Sequence, residues 1–332
     1  PWEVPYWGIG NENWGCGGQM SPEQYAREYR RFATYVGSMD NLLVDHEMEL
    51  IACGFENHEW NRRFMEEVAN TNWGVEFPLD HLTLHHYYGR TMSVVDADEE
   101  KYDQFLVEAL AMDEHIERIA AAIDAVATTR DIGVIIDEWG AWHTEAVAEG
   151  GLEQPGTVID ALSAAAVLDI FNRHSDVMTM SNIAQTVNVL QCLVETDGEN
   201  AFARPTYRVF DLYAPHKGND SVQTSVDAPV REVGEEELLL VGASASISDD
   251  ETYVTVTNLD YQDSHTVEVN LEGTVSTDDI GATVLFEDQE PDMVVDADNA
   301  EEFGADELDV AVDGDVLTVE LEPSTVAGLA LE

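Results

Sequence analysis

Residues 132–140 read IGVIIDEWG, and this stretch decides the fold class. Gly133 precedes a run of β-branched residues, Val134 to Ile136, and the acid pair Asp137–Glu138 closes it. A short continuous apolar run of this kind marks a strand buried on both faces. A helical pattern from about Glu99 to Ala127 precedes it, and TVIDALSAAAVLDIFNRH at 157–174 follows. The same alternation extends outward in both directions. VPYWGIG (4–10), ELIACGF (49–55), HLTLHHYYG (81–89) and DVMTMSNIA (176–184) read as further strands. SPEQYAREYRRFATYV (21–36), NHEWNRRFMEEVANT (57–71) and TYRVFDLYAPH (206–216) read as helices. Strands alternating with helices imply parallel βαβ units.

In the first helix Ser21 is the expected N-cap, Pro22 the first helical residue and Gln24 the closing member of a capping box. Tyr25, Tyr29, Phe32 and Val36 recur at helical spacing and are expected to cover a core. From about Asn219 the style changes to short strands separated by Asp, Gly and Pro: EELLLVGASASIS, TYVTVTNL, HTVEVNLEG, ATVLFED and VLTVELEPSTVAGLALE. The expected organisation is an α/β domain over 1–218 and an all-β sandwich over 219–332.

The chain of 332 residues carries 68 acids against 14 bases, a formal net charge of -54. Lys101 and Lys217 are its two lysines. Seven Trp, eleven Tyr and long apolar runs exclude a disordered acidic protein. The charge is spread along the whole chain rather than gathered on one face, which points to adaptation to very high salt. No basic footprint for nucleic acid is present. No apolar run of membrane length occurs, and no signal peptide is visible at the start. Cys16, Cys53 and Cys192 are far apart and odd in number, so reduced buried thiols are expected. The acid clusters of the β region lack the spacing of a calcium loop and read as solvated charge. No metal and no cofactor are expected.

In a parallel α/β barrel the C-terminal strand ends share one rim, where active sites form. Glu12, in WGIGNENWGCGG (7–18), and Glu138 both stand at such ends. A pair of carboxylates there suits glycoside hydrolysis, one protonating the leaving oxygen and the other attacking or activating water. In so acidic a chain any single Glu is by default merely solvated. Here both lie among tryptophans (Trp7, Trp14, Trp139, Trp142), which make flat walls for sugar rings. Apolar walls also raise the pKa of a carboxyl group, as a general acid needs.

YWGIGNENWGCGG, LHHYYG, IIDEWGAWH, NIAQTVNVLQ and PTYRVFDLYAPH, in this order and spacing, resemble glycoside hydrolase family 51, the α-L-arabinofuranosidases. The resemblance covers nearly the whole chain. It implies a (β/α)8 TIM barrel followed by a β-sandwich, and retaining, exo-acting removal of terminal α-L-arabinofuranosyl residues from arabinan or arabinoxylan. By resemblance Glu12 matches the acid/base and Glu138 the nucleophile. Asn11 matches the amide on the sugar 2-hydroxyl, Tyr87 the tyrosine on the nucleophile, Gln185 a glutamine holding the furanose, and Trp142 an aromatic wall. His85 fits an orienting role. His86 fits a packed or surface imidazole equally well, and Asp137 alternates away from Glu138, as if to tie down a loop.

The strands ending near Gly10, Gly54, Tyr87, Glu138 and Asn182 correspond to the fourth through eighth of the family barrel. With Pro1 as its first residue, the chain resembles the C-terminal part of a longer enzyme. The partners implied are an arabinose-containing oligo- or polysaccharide, further copies of the chain, and the rest of the polypeptide; neither nucleic acid nor membrane is among them. A high-salt cytosol is the expected location, with secretion left open. An endoglucanase or xylosidase on the same scaffold, or a sugar-binding fragment without turnover, are the competing readings.

Overall fold

The computed structural model describes residues 3–43, 48–70, 78–126, 131–147, 151–248, 251–273 and 279–331. Among these the chain forms two compact units. The first comprises Pro1–His86, Asp113–Trp139 and Asp176–Asn182; the second comprises Tyr87–Met112, Gly140–Ser175 and Ile183–Glu332.

The first unit is organised around a sheet whose strands follow one another in chain order: β1 (Tyr6–Ile9), β2 (Glu49–Ala52), β3 (His81–Tyr88), β4 (Gly133–Ala141) and β5 (Met178–Ile183). β1 pairs in parallel with β2, in the register Trp7 to Leu50, and β2 with β3, in the register Ile51 to His81. Helices α1 (Pro22–Leu43), α2 (His58–Ala69) and α4 (Met112–Asp124) supply the crossovers in this unit. α1 starts where the sequence places it, since the backbone N–H of Gln24 donates to Ser21 Oγ at 3.2 Å. Tyr25 and Tyr29 are fully buried, and Tyr25 stacks on Phe64 of α2 at 5.1 Å.

The expected core stripe of α1 is corrected at one position. Phe32 is 55% exposed, and Ala33 is buried in its stead. Tyr25, Tyr29 and Ala33 follow an i, i+4 line, and the aromatic stack with α2 selects that line over the neighbouring one. The helix expected from Glu99 to Ala127 is also interrupted. It divides at Ala111 into α3 (Glu99–Leu110) and α4, and Ala127 lies outside the described residues. Ala111 stands between the two segments, its N–H still bonded to the Val107 carbonyl at 3.2 Å.

The second unit holds α3, the short α5 (Thr144–Val147), α6 (Val158–Arg173), the hairpin β6–β7 (Val194–Asp197, Asn200–Ala203) and α7 (Pro205–Leu212). It also holds the all-β region. There one sheet runs β15-β14-β18-β12-β11-β8, formed by Ala305–Glu307, Ile280–Leu285, Thr325–Leu331, Thr252–Asn258, Val241–Ile247 and Asp220–Val222. A second sheet runs β13-β17-β16, formed by His265–Asn270, Val316–Leu321 and Ala311–Asp313. Val254, Val256 and Leu329 from one face meet Leu317, Val319 and Leu321 from the other in a single apolar cluster. A β10–β9 ribbon (Glu236–Leu239, Val230–Val233) flanks them, so EELLLVGASASIS forms two strands rather than one.

Two groups of buried polar side chains in this unit are tied by hydrogen bonds and ion pairs. Asp169 of α6 accepts from Ser244 Oγ at 2.7 Å and Tyr213 OH at 2.9 Å, and burial pushes its carboxyl up to about 6. Arg231 joins Asp103 of α3 to Asp260, at 3.0 and 2.9 Å.

Candidate active site

Glu12 follows β1 in a coiled turn. Its carbonyl accepts from the amides of Gly15 and Gly17 at 2.8 and 2.9 Å. Its own backbone is left-handed, at φ 44°, which a residue with a Cβ adopts only when its surroundings hold it there. The glycines make that turn feasible. A Cβ on Gly17 would stand 1.8 Å from the Asn11 carbonyl oxygen, and one on Gly10, at φ +110°, would strike the Asn13 side chain. Asn13 is buried and ties the turn by donating to the Gly17 carbonyl at 3.2 Å, whereas Asn11 is exposed. Trp14 anchors it: the indole N–H donates to the Gly54 carbonyl at 2.8 Å, and the ring stacks on Phe55 at 4.2 Å.

β4 delivers Glu138, and β3 delivers His85 between the two acids. His85 Nδ1 lies 3.1 Å from Glu12 Oε1 and 3.3 Å from Glu138 Oε2. One ligand atom each of Glu12, His85 and Glu138 comes within 4.8 Å of the others. On its far side, His85 Nε2 lies 3.2 Å from Asp137 Oδ1, close enough to attract as an ion pair without the alignment of a hydrogen bond. Asp137 therefore holds a histidine rather than a loop; the imidazole is wide enough to meet both residues of the acid pair. Burial alone would lower the pKa of His85. The carboxylates of Asp137, Glu138 and Glu12 outweigh it and raise the pKa to about 9, so the ring is a cation at neutral pH. His85 side-chain exposure is 3%, against 21% for Glu12 and 29% for Glu138. The two acids thus open to solvent above a buried charge.

The expected aromatic walls divide. Trp139 is fully buried in the core and cannot face a ligand. Trp7 is 45% exposed, its indole N–H donating to the Val4 carbonyl. In the second unit Trp142 packs edge-on to Tyr87 at 5.1 Å. Arg90 lies over the Trp142 ring at 4.3 Å, a cation–π contact that the sequence reading missed, although Arg90 directly follows LHHYYG. Gln185 is exposed, with its backbone N–H donating to the Val189 carbonyl at 3.0 Å. Cys53 and Cys192 are buried as expected, but Cys16 is exposed and donates to Glu12 Oε2 at 3.0 Å. That hydrogen bond raises the pKa of the thiol. The turn brings Cys16, four residues on, back against the Glu12 carboxylate.

The sequence profile described as "Alpha-L-arabinofuranosidase C-terminal domain" matches residues 137–324, more than half of the chain. This chain belongs to that family, within glycoside hydrolase family 51. It is 30% identical, over 84% of its length, to an intracellular exo-alpha-L-arabinofuranosidase of Bacteroides ovatus, of which it covers 54%. It is 27% identical, over 72% of its length, to an intracellular exo-alpha-(1->5)-L-arabinofuranosidase of Streptomyces lividans, of which it covers 37%. The chain thus spans about half or less of the curated relatives it matches. The crystal structure of the GH51 arabinofuranosidase from Xanthomonas axonopodis pv. citri superposes on all of it with a TM-score of 0.90 and 30% identity, and 67% of that chain is covered. The fold is accordingly a TIM-barrel portion with a C-terminal β-domain, as the resemblance implied. Among the described residues no helix is long and apolar enough to cross a membrane.

Proposed function

We propose that this chain serves a retaining exo-α-L-arabinofuranosidase, with Glu138 as nucleophile and Glu12 as acid/base. The observation that carries the reading is the spacing of the two carboxyl groups. Their nearest ligand atoms lie within 4.8 Å, which suits the carboxyl separation of about 5–5.5 Å in retaining enzymes better than the roughly 6.5–9.5 Å that leaves room for an inverting water. Glu138 attacks the anomeric carbon as the glycosidic bond breaks, and Glu12 gives its proton to the departing oxygen. Glu12 then takes a proton from water, and the water oxygen displaces Glu138 from the sugar. The His85 imidazolium offsets the repulsion between two acids held this close. Asn11, Tyr87, Trp142 and Gln185 take the substrate-binding roles that the resemblance assigns them.

The substrate class is an arabinan or arabinoxylan fragment with a terminal α-L-arabinofuranosyl residue. The names of the relatives support that class, and their intracellular designation supports a cytoplasmic setting. The net charge of -54 supports a cytosol of high salt. The test is Glu12→Ala. It retains the glycosylation step on aryl arabinofuranosides with good leaving groups, which need little protonation, and azide accelerates the slow second step. Equal loss on all leaving groups with no azide effect would remove Glu12 from the acid/base role.

A further inference from the structure

Next to the two-carboxylate site, and on the opposite face of β3, stands a second cluster with no part in the proposed reaction. Glu56 lies in the loop after β2, His86 near the end of β3 and His115 on α4, all within the first compact unit. One ligand atom from each comes within 4.8 Å of the others. Glu56 Oε1 is 3.0 Å from His86 Nδ1, and the imidazoles of His86 and His115 are 4.8 Å apart between centroids. His86 is 95% buried by its 5% exposure, and Nδ1 of His115 is buried with no hydrogen-bond partner.

We propose that Glu56, His86 and His115 form a binding site for a borderline transition-metal cation of the zinc class. Two imidazoles and one carboxylate are a zinc donor set, whereas calcium and magnesium favour oxygen alone. Zinc–nitrogen bonds of about 2.0–2.1 Å place tetrahedral donors roughly 3.3–3.5 Å apart, so the cluster closes on an ion by about 1 Å of side-chain movement. An orphaned buried nitrogen is also a standing cost that a bound ion relieves.

Such an ion would pin α4 to the loop at Gly54–Asn57. That loop holds Trp14 through the Gly54 carbonyl and the Phe55 ring, and Trp14 is two residues from Glu12. The ion would therefore stiffen the turn that presents Glu12 without touching substrate.

The test uses the full chain, stripped with a chelator and kept in molar KCl so that its acidic surface is screened. Titration with CoCl2 is followed by ligand-field absorption in the visible range. The expected result is one Co2+ per chain, displaced by ZnCl2 and not by excess MgCl2. In the Glu56→Gln/His115→Gln double variant, folded by circular dichroism, Co2+ affinity falls at least about 100-fold. Absence of ligand-field bands in the unaltered chain would overturn the proposal, as would unchanged affinity in a folded double variant. Should the double variant not fold, Glu56→Gln alone, at a side chain 41% exposed, makes the same comparison.

Discussion

The buried charge of His85 gives a prediction whose size follows from its surroundings. His85→Gln keeps a hydrogen-bonding side chain between the two acids and removes the cation. In the folded protein the pKa of His85 is raised from the ordinary 6.5 to about 9, against burial and by Asp137, Glu138 and Glu12. At about 1.4 kcal/mol per unit of pKa, this is a contribution of roughly 3 kcal/mol, large against a total stability of about 5–15 kcal/mol. The sign follows from proton counting. Between the two pKa values the folded state holds a proton that the unfolded state has released, so stability falls as pH rises. The contribution is complete below about pH 6.5 and gone once pH has passed about 9. The stability gap between the native chain and His85→Gln should therefore be widest near pH 6 and shrink by about 3 kcal/mol toward pH 10. Urea unfolding at constant molar KCl, across that range, reads the gap, and the histidine C–H resonances read the pKa directly. Salt screens this pair little, because the imidazole is only 3% exposed and its partners lie within 3.3 Å. A gap that stays constant with pH would refute the assignment of His85 as a cation held by the acid cluster.

Two further outcomes follow from surface charge and from the exposed thiol. With a net charge of -54, circular dichroism and activity should be lost on dialysis into dilute buffer and regained in molar KCl; equal stability from about 0.01 M to several molar salt would leave the acid excess to another cause. Cys16 should alkylate slowly near pH 8, because its hydrogen bond to Glu12 raises the thiol pKa, and faster in Glu12→Gln. Mass spectrometry of the labelled chain distinguishes it from the buried Cys53 and Cys192, and no acceleration in the variant would mean that the contact is not kept in solution.

The βαβ alternation, the Ser21 cap and the place of Glu12 just past β1 are legible in the sequence, because short-range residue order encodes them; Glu138, read as a strand end, lies inside β4, which runs on to Ala141. β-branched runs make buried strands wherever they occur, and a cap needs only its own first turn. The motif strings around the two acids sufficed to identify the family, since local chemistry repeats as local sequence.

What packs against what is decided only in three dimensions. Tyr25 and Tyr29 belong equally to a stripe through Phe32 and to one through Ala33, and the rings of α2 choose the second. Trp139 and Trp142 look alike in sequence, yet the first is core and the second carries Arg90 on its face. Asp137, set aside by strand alternation, reaches His85 because the partner is a ring with two nitrogens on a neighbouring strand. Glu56, His86 and His115 carry no recognisable spacing, since a loop, a strand and a helix each supply one of them. Each of these outcomes depends on the distance between side chains remote in the chain, a quantity that residue order sets only after the sheet and its helices have closed on one another.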